Sequence, residues 1–412
     1  MIKQIADLHI HSKYARACSP LLDLQNIAKT CEIKGINICA TGDFTHPIWF
    51  KHIQTELKEI KNTGLYKLKN DQSETKFILT TEVSCVYRHK DKVRRLHLIL
   101  IAPSIDAVSK FNLELAKRDV NLHSDGRPIM GLSAKEVLAI ILEIDVRFVM
   151  IPAHAWTPWF AIFGSKSGYD SLEECFEELT PHIFAIETGL SSDPLMNRRL
   201  KQLDNIVLVS NSDAHSLDNL GREANVFVFK KQSDITFNNL IESIKSNDKS
   251  RFLYTIEFYP EEGMYFADGH RLCGINMSPK ASKNIKNICP KCKKELTIGV
   301  LHRVDDLADR SEKNILKENY IPFKYIIPLR EIISEVFGVG VKSKKVKIEY
   351  QNMISKIGNE FFILLEASLD IIKKNISNQD ILYAIKNMRS GKVEKTAGFD
   401  GQYGKIRSIN RK

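Results

Sequence analysis

Over residues 1–258, short apolar runs alternate with amphipathic stretches, a rhythm that leaves few folds open. The strand candidates are Ile5–His9, Ile36–Thr41, Phe77–Glu82, His97–Ala102, Phe148–Pro152, Ile183–Glu187, Ile206–Ser210 and Ala224–Phe229. Between them, Leu24–Lys34, Ser133–Leu142 and Leu172–Glu178 carry helical spacing, and Ser133 with Glu136 forms a capping box. Seven or eight such units predict an α/β fold, a regular or distorted β/α barrel. In that architecture chemistry sits where strands end.

The strand ends are where the chain places its histidines and acids. The first ends in Asp7-Leu-His9-Ile-His11, and alternate residues of an extended segment share a face, so both imidazoles can point one way. Later ends supply Asp43 and His46, Glu82, His97, His154, Glu187, and the pair Asp213 and His215. Neutral imidazoles mixed with carboxylates suit zinc, manganese or iron. A single histidine at a strand end is ordinary; two H-x-H or D-x-H pairs with six further ligand candidates point to a metal cluster. Asp193, before Pro194, is either an acid/base or positioning residue or a turn-capping Asp. Arg127 and Arg222 are candidates for phosphate contact, or else partners of Asp125 and Glu223. Trp156, Trp159 and Phe160, next to His154, are either base-stacking residues or core.

These motifs resemble the polymerase and histidinol phosphatase (PHP) family of metal-dependent phosphoesterases. The resemblance implies a distorted barrel holding up to three divalent ions (Zn, Mn or Mg). One would be held by His9, His11, Glu82 and Asp213, and a second would share Glu82 and use His97 and His154. A third would draw on Asp43 or His46 with His215, because Phe44 stands where the family's second motif has a histidine. Two ions about 4 Å apart suit water activation and in-line displacement at phosphorus, with Asp213 at the catalytic centre.

From Tyr259 the composition shifts to Gly, Cys and Lys. His270-x-x-Cys273 and Cys289-x-x-Cys292, fifteen residues apart, predict a zinc ribbon with one histidine ligand, His302 being the alternative to His270. A closed four-ligand site is structural. The other five cysteines are scattered and predict small buried hydrophobes. From about Asp306 the pattern is helical: Leu329–Phe337, Ser343–Ser355, Glu360–Lys374 and Gln379–Met388, before an irregular tail over Lys392–Lys412. The expected divisions are therefore 1–258, 259–305 and 306–412.

Charge follows those divisions. The first carries 32 basic and 32 acidic residues, the second 8 and 5, the third 20 and 13, so the whole +10 lies in the last two. Within the third, Gly338-Val-Gly340 is followed by Lys342, Lys344 and Lys345. A G-x-G turn between helices offers backbone N–H groups to a phosphate, and lysines add charge, as in a helix-hairpin-helix DNA contact. The 43% hydrophobic content fits a globular chain, and no apolar run approaches the ~20 residues a bilayer requires. The first residues lack a secretory h-region, so the expected compartment is cytoplasmic.

The ensemble resembles the endonuclease Q family, PHP-containing DNA repair nucleases. Its particular marks are Ser124-Asp-Gly-Arg-Pro128, Pro152-Ala-His-Ala-Trp-Thr-Pro-Trp159, Leu220-Gly-Arg-Glu-Ala-Asn225, Gly299-Val-Leu-His-Arg-Val304 and Gly398-Phe-Asp-Gly-Gln-Tyr-Gly404. The resemblance implies nicking 5′ to uracil, hypoxanthine, xanthine or an abasic site. It also implies an association with the sliding clamp, although the chain has no clear clamp-binding motif. Two other readings are a small-molecule phosphatase of the histidinol-phosphate type and a non-catalytic DNA-binding protein with a PHP domain.

Overall fold

A computed structural model describes residues 1–70, 72–376 and 378–408. Its centre is a mixed sheet. The strand Ile2–Asp7 lies parallel to Ile38–Ala40, which lies parallel to Lys76–His89. The sheet continues antiparallel through Lys92–Ala102 to Val149–Pro152. Next to it, Ala185–Glu187 and Val207–Val209 form a separate parallel pair. Ala155 N donates to Glu187 O (3.0 Å) and Leu8 N to Asn211 Oδ1 (2.9 Å), linking this pair to the sheet's two sides. Inward side chains from all seven strands, among them Ala6, Ile38, Ile78, Ile99, Ile151, Ala185 and Val207, pack into one buried cluster.

Simple βα repetition does not survive intact. Lys76–His89 and Lys92–Ala102 form a long antiparallel hairpin, paired from Leu79↔Ala102 to His89↔Lys92. Two-residue alternation is the same in either direction, so the sequence could not separate a hairpin from parallel neighbours. On the far side, Ala224–Phe229 runs antiparallel to Ile2–Asp7 and pairs with Phe252–Glu257, which in turn pairs with Phe323–Tyr325 from well beyond residue 306.

Helices begin where local chemistry satisfies their first N–H groups. Asp23 caps Leu24–Lys34, which Gly35 ends in the left-handed region at φ 88°. Ser133 and Glu136 form the expected capping box of Ala134–Ile144. Ser343 caps Lys344–Ile357. The single helix expected over Glu360–Lys374 is instead a π-helical turn, Phe362–Glu366, and a helix, Leu369–Asn375. Ser368 opens the second by accepting from Ile371 N, which makes a new start rather than a continuation. Leu329, Ile333, Met353 and Ile385 of the C-terminal helices share a buried cluster with Ile27 and Cys31.

The expected irregular tail is partly ordered. Glu394–Thr396 pairs with Lys405–Arg407, and Gly398 N donates to Glu261 O (2.7 Å), docking the hairpin beside the cysteine-rich segment. Its last residues, 409–412, lie outside the described ones. Among the described residues no helix is long and apolar enough to cross a membrane.

Candidate metal centre

The strand Ile2–Asp7 ends before its histidines, but the extended geometry persists: Ile10 bridges Ala214, and His11 N donates to Ala214 O (3.1 Å). His9 and His11, flanking Ile10, thereby face Asp213, whose backbone is held at φ 45°. His11 Nε2 lies 3.2 Å from Asp213 Oδ1 and 3.3 Å from Glu82 Oε2; His9 Nε2 lies 3.7 and 3.8 Å from the same two atoms. The other Glu82 oxygen lies 2.9 Å from His97 Nδ1 and 3.2 Å from His154 Nε2. Two ligand sets thus share one carboxylate, and within each the donor atoms lie within 4.8 Å of one another.

The donor chemistry fits divalent ions. His9 Nε2, His11 Nε2 and Asp213 Oδ1 are buried, converge on one point, and make no hydrogen bond. Buried polar atoms without partners are rare, and these are aimed as ligands are aimed. Their other atoms are fixed. His9 Nδ1 donates to Glu187 Oε1 (3.1 Å), and Glu187 also accepts from His154 N (2.8 Å) and Asn211 Nδ2 (2.9 Å). His11 Nδ1 donates to Asp43 Oδ1 (2.9 Å), while Asp43 Oδ2 accepts from Ser12 N (2.6 Å). Gly126 makes room for that carboxylate, since a Cβ there would stand 2.5 Å from Asp43 Oδ2.

Burial opposes charge on His9 and His11, yet Glu187 beside the one and Asp43 beside the other hold both rings well above the usual imidazole pKa. Burial likewise opposes ionisation of Glu82, but His97, Arg127, His11 and His154 together hold it well below the carboxylate range. His97, where burial outweighs the pull of Glu82, is lowered to about 4.

The other expected site residues separate into groups. Asp43 is turned toward His11 and Ser12 as an orienting group. His46 stacks on Tyr14 with ring centroids 4.6 Å apart. His215 Nδ1 lies 2.9 Å from Asp213 O, and its ring 4.6 Å from that of His11. Among the described residues these three form no third ligand group. Asp193 stays outside the cluster: it caps Pro194–Asn197 by accepting from Met196 N (2.8 Å), and it accepts from the Tyr325 hydroxyl. Arg127 donates to Glu82 Oε2 (2.9 Å). Trp156 corrects the stacking expectation, being 1% exposed with Nε1 donating to Asn197 Oδ1 (2.7 Å). Trp159 is more open and meets Tyr265 edge-on at 5.8 Å, while Phe160 lies 4.6 Å from the His97 ring.

Beside the first ligand set opens a cavity of about 350 Å³, lined by His154, Asp213, His215, Arg222, Tyr265 and Tyr403 among others. Arg222 donates to Ser212 O (2.8 Å) and does not pair with Glu223. Sequence reasoning missed the two tyrosines, which come from the cysteine-rich segment and the tail. The available signal was the compact Gly398–Gly404 run, too tight to be a loose end. Elsewhere His270, Cys273, Cys289 and Cys292 converge within 4.8 Å, with Cys292 Sγ 3.4 Å from His270 Nδ1. Burial would raise the Cys289 thiol, but the Cys292 and Lys291 N–H groups bring it down to about 6. His302 is not in this group; it pairs with Asp268 at 2.5 Å. Lys342, Lys344 and Lys345 are exposed around the turn between Leu329–Phe337 and Lys344–Ile357, with Lys345 Nζ 4.2 Å over the Phe337 ring.

Fold and site together define an α/β protein with a candidate two-ion centre and a second, cysteine-rich candidate metal group. Residues 328–392 match the family model of the MJ0043 C-terminal domain. The Bacillus subtilis uncharacterized protein YqxK is 28% identical over 423 residues, covering 99% of this chain and 100% of that one. The Methanocaldococcus jannaschii uncharacterized protein MJ0043 is 30% identical over 327 residues, 75% of this chain but only 40% of that longer one. The crystal structure of the lesion-specific endonuclease PfuEndoQ from Pyrococcus furiosus superposes with a TM-score of 0.86 at 31% identity, covering 98% of this chain and 95% of that one. Endonuclease Q in complex with a 27-mer duplex carrying an abasic lesion at its active site gives 0.86 at 32% identity, with 98% and 96% coverage. The chain belongs to the endonuclease Q family.

Proposed function

We propose that this chain is a DNA repair endonuclease that hydrolyses the phosphodiester 5′ to a deaminated base (uracil, hypoxanthine or xanthine) or an abasic site. The observation that carries the reading is Glu82 shared between two histidine sets beside an open cavity, in a chain that matches a lesion-specific endonuclease over nearly its whole length. We read the seven strands as a distorted PHP-type barrel, residues 259–305 as a zinc-ribbon module, and 306–412 as a basic helical DNA-binding region.

His9, His11, Glu82 and Asp213 would hold one divalent ion, and Glu82, His97 and His154 a second. Ions so held supply Lewis acidity, which lowers the pKa of water towards ~7 and offsets charge on the phosphoryl oxygens. The protein's own part is positional. Glu187 and Asp43 fix the ring planes of His9 and His11, and outer partners of this kind are worth about 10–100-fold in metal affinity or activity. Arg222, at the cavity wall, offers a guanidinium to a phosphate oxygen. The cavity can accept an extruded base, with Tyr265 and Tyr403 as apolar faces and Asn219 as an edge partner. His270, Cys273, Cys289 and Cys292 would bind one structural zinc. Damaged DNA is the proposed partner and the cytoplasm the proposed compartment.

The test incubates the protein with Mg²⁺, Mn²⁺ or Zn²⁺ and end-labelled duplexes carrying one uracil, hypoxanthine or abasic site. Undamaged duplex and histidinol phosphate serve as controls. A nick 5′ to the lesion is the expected result. Phosphate release from histidinol phosphate without nicking would overturn the reading.

A further inference from the structure

The hairpin that carries Glu82 and His97 does not stop at the metal centre. Its strands run past it to a tip at Lys90–Asp91, with His89 opposite Lys92. Five residue steps at roughly 3.3–3.4 Å each place Lys92 about 17 Å beyond His97. Against this outer end lies the loop that follows Phe163, and between them is a groove of about 720 Å³, twice the volume beside the metal centre.

Its lining is cationic: Lys90, Lys92, Arg94, Lys166 and Arg303, against the carboxylates Asp170 and Glu174. Asp170 is taken by Arg303 at 2.5 Å. Lys90, Lys92 and Lys166 are exposed, and among the described residues none has an ion-pair partner. Arg94 is the unusual member. It is 8% exposed, its guanidinium lies 3.9 Å above the Tyr169 ring, and its Nε is buried without a hydrogen-bond partner. Its Nη1 donates to Gly168 O, but among the described residues no carboxylate pairs with it, so it gives the groove a positive floor. The loop is held tightly below it. Lys166 N donates to Pro158 O (2.9 Å) and Gly168 N to Gly164 O (2.9 Å), and a Cβ on Gly164 or Gly168 would meet backbone at 2.5 or 2.3 Å, so the close packing requires glycine at both. Arg303, donating to Phe163 O (3.0 Å) and Tyr169 O (3.1 Å), closes the far side.

We infer that this groove is a track for the phosphate backbone of the substrate duplex, about five base pairs from the phosphate at the metal centre. The inference rests on the endonuclease reading above. Charge complementarity selects this occupant: five cations against two carboxylates line the groove, and about 17 Å is the axial rise of five base pairs at 3.4 Å each. Lys90, Lys92 and Lys166 are exposed along the groove and, among the described residues, have no carboxylate partner, which leaves them free for phosphates.

The test replaces Lys90, Lys92 and Lys166 together with Glu, and in a second protein with Gln. Binding to an abasic-site duplex is followed by fluorescence anisotropy from about 50 to 200 mM salt, and nicking under single-turnover conditions. The Glu protein should bind about 10–100-fold more weakly, and its log Kd against log salt should lose about two to three units of slope. Cutting one of the two duplex arms to about three base pairs should cost the wild type a similar factor and cost either variant nothing further. Melting temperature and bound metal should match the wild type; if the Glu protein does not fold, the Gln protein carries the same comparison at smaller amplitude. Unchanged affinity and slope, or a loss that is the same for every arm length, would remove the groove from the interface. Failure of the wild type to bind or nick the abasic duplex is a different result: it sinks the endonuclease reading, and the groove assignment falls with it.

Discussion

Glu82 sits where two ligand sets meet, and its two oxygens face different histidines. Glutamine keeps its shape but loses the charge and one acceptor. Glu82→Gln should therefore lower bound metal at both sets, read by elemental analysis, and reduce nicking by more than the ~100-fold upper range of an outer partner. Glu187→Gln should stay inside that range, at about 10–100-fold in metal affinity, because Glu187 orients the His9 ring and braces His154 N and Asn211 Nδ2 without joining either ligand set. A metal titration followed by activity distinguishes the two. At this scale most of the candidate ligands were legible, since His9, His11, Glu82, His97, His154 and Asp213 each lie at or near one end of an apolar run. What proximity in sequence could not say was which way a neighbour turns. Trp156 lies two residues from His154 yet points inward to Asn197, whereas Tyr403 is 249 positions away and lines the cavity. Trp156→Ala should accordingly cost about 3–5 kcal/mol of stability, measured by denaturant unfolding, as loss of a buried aromatic does.

The strand Phe252–Glu257 ends in a buried carboxyl that faces Thr255 (2.5 Å) and Thr188 (3.1 Å). Burial, reinforced by Asp193, pushes the Glu257 pKa up from 4.5 to about 8, and Glu223 is raised with it by burial and by Glu257 itself. A raised acid favours the protonated form in the fold. Its contribution is complete below the unfolded pKa near 4.5 and is lost as pH rises through about 8. The melting temperature should thus fall by a few degrees between about pH 7 and 9, and Glu257→Gln should flatten that decline. A wild-type profile that rises over this range would contradict the sign. Elements were legible where their limits are local, as at the Ser133–Glu136 box and the Ser343 cap. They were not where pairing is distant: the long hairpin and the docking of 394–407 depend on partners that no window of sequence contains.

Across the whole molecule, charge is arranged in two ways. The +7 of residues 306–412 was visible along the chain, while the groove at Lys90, Lys92 and Lys166 arises only when a neutral stretch folds and brings its cations together. The C-terminal lysines do not line the cavity, so their effect should separate cleanly from lesion choice. Lys342, Lys344 and Lys345 flank a turn whose Gly338 adopts φ 64°, between helices packed by Ile333, Val336 and Met353. Their replacement by Glu should leave that packing intact, since all three side chains are exposed. Every phosphate deprived of its lysine takes roughly 0.9 from the salt slope, so the triple variant should lose about two to three units of slope and bind about 10- to 100-fold more weakly near physiological salt. The weakening should be the same for abasic, uracil-containing and undamaged duplexes, because phosphate contacts carry no information about the base. Competition between lesion and undamaged duplex, read by anisotropy, measures this directly. A variant whose preference for the lesion collapses along with its affinity would mean that these lysines help present the damaged base to the cavity, and that grip and selection are not separate in this protein.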